Sequence, residues 1–568
     1  MDNIFVQLAA ILGSSSILGY ITHKLKLPIL IAYLLVGLVI ATVTIFNLKD
    51  SEVLRFLPEI GIAFVLFLVG MELDLREIKK FGRPIIIASI LQILISSFAG
   101  FAIAGAFGFG MIESIYLGVG LSFSSTIVVI KLLLEKNDLT SLYGKLSVGI
   151  LLMEDLIAVL ILLGLTVSPS FFNFGFQQTF PIVSFVFKVF ILFAATVLIN
   201  RYVLPKIFDE VSESVELLFL SAIAWCFVYV AFALALGFSV VIGAFLAGIG
   251  LASSPYHYQI QGKVKPLRDF FLTLFFVYLG TQVNFSDLKN VYPAIIAFTL
   301  YAVVAKPIIF LLVLGSFGFR KHTMFQTAIN LSNISEFSLI VLLVGLQMGF
   351  VSSSSLTVIA VSLILSTIIS SLLISKSVAV YKYMKSLISF FERRTPHKLV
   401  QDTSNYDLKD HVVIIGSQHV GESLVKYFQK ESIQMVVLDF NPYQVERLLL
   451  GKIPVVFGDM GDPEVLEILN LSEAKMIIST VPNLADNKLL IEEIKDRSLN
   501  IPLIIRADTI KEAKELYKFG ATFVFVPDLV SGDFLVEMLK NHLEDRGYFK
   551  ERPKVEMEKL SRKNLAWE

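Results

Sequence analysis

Gly149-Ile150-Leu151-Leu152-Met153-Glu154-Asp155-Leu156-Ile157-Ala158-Val159-Leu160 sets two adjacent carboxylates in a run otherwise apolar enough to cross a membrane. A charge at the bilayer centre costs at least ~2.5–3.5 kcal/mol, so an intramembrane Glu-Asp pair points to an ion or proton path. The rest of the chain agrees. Its 568 residues are 55% hydrophobic and only 17% charged, against about 25% charged in an average soluble domain. The reading is a polytopic membrane protein. A formal net charge of zero decides nothing about nucleic acid by itself, and no nucleic-acid partner is expected. The single cysteine, Cys226, lies in an apolar run and cannot form an internal disulfide. No basic stretch precedes the first apolar segment, so residues 4–21 read as a retained helix and not a cleaved signal.

A spanning helix needs about 20 mainly apolar residues. Roughly thirteen segments qualify: 4–22, 27–46, 58–74, 84–107, 113–134, 146–167, 180–203, 216–235, 237–252, 268–283, 292–315, 325–349 and 355–377. The third, ninth and tenth are short. Loop charges orient them. One set of alternate loops carries Lys24 and Lys26, then Arg76, Lys79, Lys80 and Arg83, then Lys131, Lys136 and Lys145, and continues in this way to Lys376, Lys382 and Lys385. The opposite loops hold Lys49, Arg55 and Lys289. Basic loops stay in the cytoplasm, so the N-terminus is expected outside and everything after about residue 378 in the cytoplasm.

The segments repeat. Ala32-Tyr33-Leu34-Leu35-Val36-Gly37 resembles Ala244-Phe245-Leu246-Ala247-Gly248, and Leu68-Val69-Gly70-Met71 resembles Tyr278-Leu279-Gly280-Thr281. Gly37 to Gly70 and Gly248 to Gly280 are nearly the same distance apart. An offset of seven segments reverses direction, which gives inverted repeats, with the substrate site expected at the midplane between them. The same architecture calls for a matched pair of broken helices. Ser122-Phe123-Ser124-Ser125-Thr126 in the fifth segment and Asn330-Leu331-Ser332-Asn333-Ile334-Ser335-Glu336 in the twelfth are polar clusters in mid-run. Hydroxyls and amides there can satisfy backbone groups freed by unwinding. Two lysines lie within spans. Lys188 is placed to snorkel, whereas Lys306 needs a partner, for which Asp155 is the candidate.

After residue 378 the composition turns polar and then becomes a βαβ pattern. Val412-Val413-Ile414-Ile415 reads as a buried strand, Gly416-Ser417-Gln418-His419-Val420-Gly421 as a turn into a helix, and Met435–Leu438 as a second strand ending in Asp439. Further strands are expected at Val455–Phe457, Met476–Ile478, Leu503–Ile505 and Phe523–Val526. In such a Rossmann layout a nucleotide sits at the helix N-terminus and the acid bonds its ribose. Gln418 stands where the fingerprint has its middle glycine.

Leu25-Lys26-Leu27-Pro28, Leu66-Phe67-Leu68-Val69-Gly70-Met71-Glu72-Leu73, Ser124-Ser125-Thr126 and Gly243-Ala244-Phe245-Leu246-Ala247-Gly248 resemble the Kef-type branch of the monovalent cation:proton antiporters. The tail resembles the RCK, or TrkA-N, regulatory domain through Gly416–Gly421, Asp439, Gly458-Asp459, Asn487, Arg506 and Gly520-Ala521. The resemblance implies a 13-helix elevator-type exchanger, a homodimer, exchange of K+ or Na+ for H+, and Asp155 as the essential carboxylate. For the cytoplasmic domain it implies a regulatory nucleotide, with Phe440 and Met460 beside Asp439 and Asp459 in the site. Kef-type relatives commonly carry Gln before this Asp, where this chain has Glu154.

The expected fold is therefore a polytopic all-α membrane domain (1–378), a linker (379–410), an α/β Rossmann-like domain (411–545) and a charged tail (546–568). The expected function is secondary antiport of a monovalent cation, K+ ahead of Na+, for H+ in the cell (inner) membrane, with membrane lipid around it and no enzyme activity or catalytic cofactor. A carboxylate in low dielectric binds a proton readily, and a neighbouring cation favours its charged form. Asp155 can thus alternate between the two, with Ser125, Thr126 and Asn333 completing an oxygen shell. Glu154 either joins this site or pairs with a residue of the fixed domain, since adjacent helical residues point about 100° apart. Glu336 is either a second site carboxylate or a partner for a helix-end amide. AMP and NAD(H) both stand as regulatory ligands, the missing glycine weighing against a dinucleotide. The rivals are a ligand-gated cation channel, for which no TVGYG-like filter is present, and an NAD-dependent enzyme on a membrane anchor.

Overall fold

The structure, a computed structural model, describes residues 4–25, 27–42, 52–72, 82–136, 138–139, 141–167, 179–252, 254–283, 285–391, 408–460 and 463–544, with 553 and 557. Half of the expected linker (392–407), most of the tail, and the loop charges Lys26, Lys49, Arg76, Lys79 and Lys80 lie outside these. Two compact units emerge: 1–132 with 146–314 and 325–384, and a second of 133–145, 315–324 and 385–568.

Among the described residues every apolar segment read from the sequence contains helix. In order these are α1 (Ile4–Lys24), α2 (Ile29–Thr42), α3 (Glu52–Glu72), α4 (Gly82–Ala106), α5 (Met111–Ser122), α6 (Thr126–Lys136), α7 (Leu142–Val167), α8 (Thr179–Tyr202), α9 (Leu204–Val211), α10 (Val215–Ala235), α11 (Val240–Ala252), α12 (His257–Thr281), α13 (Phe285–Leu300), α14 (Lys306–Ser316), α15 (Lys321–Asn330), α16 (Glu336–Gln347), α17 (Ser353–Ser375) and α18 (Ser377–Ile388). Among the described residues six helices are long and apolar enough by themselves to cross a membrane. The third and tenth segments were expected to be short, yet α3 has 21 residues and α12 has 25. Both helices start upstream of their apolar stretch, at Glu52 and at His257, where hydropathy gives no signal.

The fifth and twelfth segments are both interrupted where the polar clusters stand, between α5 and α6 and between α15 and α16. Phe123 and Ser335 are extended (φ −86°, ψ 149° and φ −85°, ψ 154°). A further irregularity lies between α13 and α14, where Tyr301–Ala305 form one π turn and the Lys306 N–H reaches back five residues to the Tyr301 carbonyl. Such turns are concentrated at functional sites.

Helices of the first unit pack in two groups. α2 lies on α12, and α3 lies on both α11 and α12, while α4 packs on α5 and α17 on α13, α16 and α5. The first group meets through glycine. A Cβ on Gly37 would stand 2.0 Å from the Val277 carbonyl oxygen and 2.8 Å from Gly280 Cα. One on Gly248 would stand 2.1 Å from the Phe67 oxygen and 2.9 Å from Gly70 Cα. Gly37 matches Gly248 in the repeat, and Gly70 matches Gly280. The two crossings are therefore the same contact with partners exchanged, as inverted repeats require.

In the second unit, β1 (His411–Ile415), α19 (Val420–Lys430), β2 (Met435–Asp439), α20 (Pro442–Leu450), β3 (Val455–Phe457), α21 (Pro463–Ile468), β4 (Ala474–Ser479), α22 (Leu484–Asp496), β5 (Leu503–Arg506), α23 (Ile510–Phe519), β6 (Phe523–Phe525) and α24 (Pro527–Glu544) follow in turn. All six strands fall where the sequence placed them. The sheet is parallel with order β3-β2-β1-β4-β5-β6, the doubly wound arrangement whose ligands bind where the order reverses, beyond the ends of β1 and β4. Strand β1 is buried throughout, as a strand covered on both faces must be.

Candidate functional site

Two helix breaks and α7 come together in the first unit. The Ser335 N–H donates to the Phe123 carbonyl at 3.1 Å, so the two interruptions touch backbone to backbone. The Ser125 N–H donates to Asn333 Oδ1 at 2.7 Å, and Ser124 Oγ to the Leu331 carbonyl at 3.2 Å. The Asn333 Nδ2 donates to the Asn330 carbonyl (3.1 Å) and to Ser370 Oγ (3.2 Å). Ser366 Oγ accepts from the Ile334 N–H, and Gln92 Nε2 donates to the Ser122 carbonyl. Unwinding frees backbone groups that cannot go unpaired in a membrane. Serines and amides on neighbouring helices take them up.

The carboxylate pair divides between these partners. Glu154 is fully buried, and its Oε2 accepts the Ser124 N–H at 2.7 Å. Asp155 is 8% exposed, and its Oδ2 accepts from Thr126 Oγ1 at 2.9 Å. Lys306 is also fully buried; its Nζ donates to the Asn333 carbonyl at 3.1 Å, and the charge it faces is Glu154. The expected Lys306–Asp155 pairing is thus corrected. Glu154 takes the lysine because the rotation of α7 buries that side chain completely and leaves Asp155 at the edge. The Glu154 Oε1 and Glu336 Oε2 atoms have no hydrogen-bond partner, although Ser125 does engage Glu336.

The Ser122, Phe123, Leu331 and Asn333 carbonyls each accept a protein donor, and the Asn333 side chain braces both breaks. A second lone pair remains on each of these oxygens. Sequence reasoning placed Ser124 in the cluster of the fifth segment but did not single out Ser366 or Ser370. These two read as ordinary packing serines until the break that they serve is seen.

In the second unit a cavity of about 230 Å³ opens where the strand order reverses, lined by Gly416–His419, Asp439, Phe440, Asp459, Met460, Thr480, Asp486, Arg506 and Lys145. Val420 and Gly421, expected beside it, do not line it. They form the start of α19, where a Cβ on Gly421 would stand 2.0 Å from the Gly416 oxygen. Gly416 has φ +86°, a conformation open to glycine. Asp439 Oδ2 accepts both the Ser417 N–H and hydroxyl, while Oδ1 accepts the Asn441 N–H at 2.8 Å. One acceptor site on Oδ1 is left for a ribose hydroxyl. Turn, helix N-terminus and acid fit a nucleotide. Burial first, and then the charges of Asp459 and Asp138, push the Asp486 carboxyl up to about 8. Burial likewise raises Asp138.

Paired helix breaks around a buried acid, joined to a doubly wound regulatory sheet, define a cation:proton exchanger of Kef type with a TrkA-N domain. The chain belongs to the sodium/hydrogen exchanger (transmembrane) family, whose model matches residues 12–379, and a TrkA-N domain matches residues 412–527. It is 25% identical to KefB of Alkalimonas amylolytica (96% of this chain, 81% of that protein) and 26% identical to YbaL of Escherichia coli strain K12 (92% and 95%). It is 30% identical to the ammonium/H(+) antiporter subunit AmhT of Alkalihalophilus pseudofirmus (57% and 82%). It is an integral membrane protein with its TrkA-N domain in the cytoplasm.

Proposed function

We propose that this chain exchanges K+, in preference to Na+, for H+, with Asp155 as the group that binds either ion. The observation that carries this is the meeting of both helix breaks at Glu154-Asp155. Exchange needs a site that takes a proton or a cation but not both, and a carboxylate at the edge of a dry interior does this. Thr126 holds one Asp155 oxygen by donating to it; its neighbour Ser125, on the same break, engages Glu336 on the opposite one. Glu154 and Lys306 face each other's charge and brace one break each, Glu154 through the Ser124 N–H and Lys306 through the Asn333 carbonyl. A buried pair of this kind fixes geometry more than it stabilises.

The cytoplasmic domain binds a regulatory nucleotide, AMP or NAD(H), at Gly416–His419 and Asp439, and the protein acts as a homodimer. The domain limits follow the sequence reading, with the exchanger ending near residue 378 and the regulatory domain near 545.

The test is proton flux in proteoliposomes under voltage clamp, with K+, Na+ and ammonium gradients compared and nucleotides added. Proton movement driven by an imposed K+ gradient is expected. Cation current without coupled proton movement would establish a channel instead.

A further inference from the structure

The cavity beyond β1 and β4 is short of positive charge. Asp439, Asp459 and Asp486 line it, and the cations are Lys145 and Arg506, with His419 at the turn. Arg506 is committed to Asp508, with Nη2 2.9 Å and Nε 3.1 Å from the same oxygen. Lys145 Nζ stands 4.4 Å from the centroid of the Phe440 ring and interacts with both Asp439 and Asp459. Lys145 comes from outside the Rossmann sequence. It lies in the first turn of α7, within the stretch 133–145 that belongs to the second unit. That turn is pinned to the cavity wall, because the Leu142 N–H donates to Asp459 Oδ2 at 2.9 Å. An acid at a helix N-terminus satisfies an unpaired donor and complements the helix dipole.

We propose that Lys145 binds the phosphate of the regulatory nucleotide, so that the ligand is held in part by the helix that carries Asp155. The inference rests on the nucleotide reading given above. A phosphate entering among three acids needs a cation beside the N–H groups at the start of α19, and Lys145, unlike Arg506, is not committed to a salt bridge. Charge-assisted bonds to phosphate are about twice as strong as neutral ones. Binding draws Lys145 away from Asp439 and Asp459, and Asp459 is the residue that caps α7. Ligand occupancy thereby bears on the start of the ion-binding helix, ten residues before Asp155. Sequence reading counted Lys145 among cytoplasmic loop charges, and nothing in a single sequence places it in the nucleotide cavity.

The experiment compares AMP and adenosine binding by calorimetry on the purified full-length protein, as wild type, Lys145→Gln and Lys145→Arg. The wild type is expected to prefer AMP. Lys145→Gln should weaken AMP at least about tenfold while leaving adenosine unchanged, since one charge-assisted bond is lost, and Lys145→Arg should restore most of the preference. Equal AMP affinity in wild type and Lys145→Gln overturns this inference alone. No binding of AMP or NAD to the wild type overturns the nucleotide reading with it. Parallel loss of AMP and adenosine would mean that Lys145 only shapes the cavity, and would also overturn the assignment.

Discussion

The chain buries acids in two places and treats them differently. In the exchanger unit Glu154 has a resident lysine, and both are fully buried and tied to backbone at the helix breaks. In the cytoplasmic unit Asp459 and Asp486, with Asp138 nearby, share a cavity in which Lys145 is the uncommitted cation. The first site brings its own counter-charge and keeps it; the second leaves its balance to a proton or a ligand. Charge that must stay fixed while another group switches is best paired internally. Charge that reports on a ligand is best left unbalanced.

The sharpest way to break this contrast is Asp155→Asn, which removes the acid at the edge of the exchanger site, where Glu154 instead faces Lys306. Cation-dependent proton flux should vanish in vesicles while the protein still folds. Unchanged flux would mean that Asp155 is no switch at all.

Lys306→Ala comes next. It strands Glu154 in a dry site, and removing one partner of a buried pair costs about 3–5 kcal/mol. The loss should appear as a lower melting temperature in detergent, and Glu154→Gln added to it should recover part of that loss through coupling of the two sites. Additive losses would show that the pair is not energetically joined.

Glu154→Gln alone should be milder, with exchange retained and its pH profile shifted. A loss as complete as that of Asp155→Asn would turn the two acids into one coupled dyad.

The smallest effect belongs to the cytoplasmic cavity. Asp486 holds its proton up to about 8, against an ordinary value of 3.8. Between those values the unfolded chain binds fewer protons than the folded one, so stability falls as pH rises from about 4 to about 8. Asp486→Asn should flatten that slope in thermal melts taken across this range. An unaltered slope would place the proton elsewhere.

The sequence carried much of this and missed the rest for definite reasons. Helix breaks at Ser124-Ser125 and Ser332-Asn333 were legible because polar residues in mid-span have few other uses. The six strands were legible because each is a short apolar run between turn residues. The partner of Lys306 was not, since choosing between Glu154 and Asp155 requires the rotation of α7 about its own axis. The bracing contacts of Asn333 were not legible, because an amide that braces two helices and one that holds an ion look alike in a string of letters. Lys145 was hidden because its role depends on a contact between residues some 300 positions apart in the chain, such as Leu142 with Asp459.

The glycine crossings have a consequence for the chain's history. Gly37 on Gly280 and Gly70 on Gly248 are one contact made twice with roles swapped. Two separate copies of a single half, inserted in opposite directions, would make both contacts from one sequence. The fused chain keeps the geometry of such an antiparallel pair. The two breaks nonetheless differ in chemistry: one carries hydroxyls at Ser124 and Ser125, and the other the Asn333 amide and Glu336.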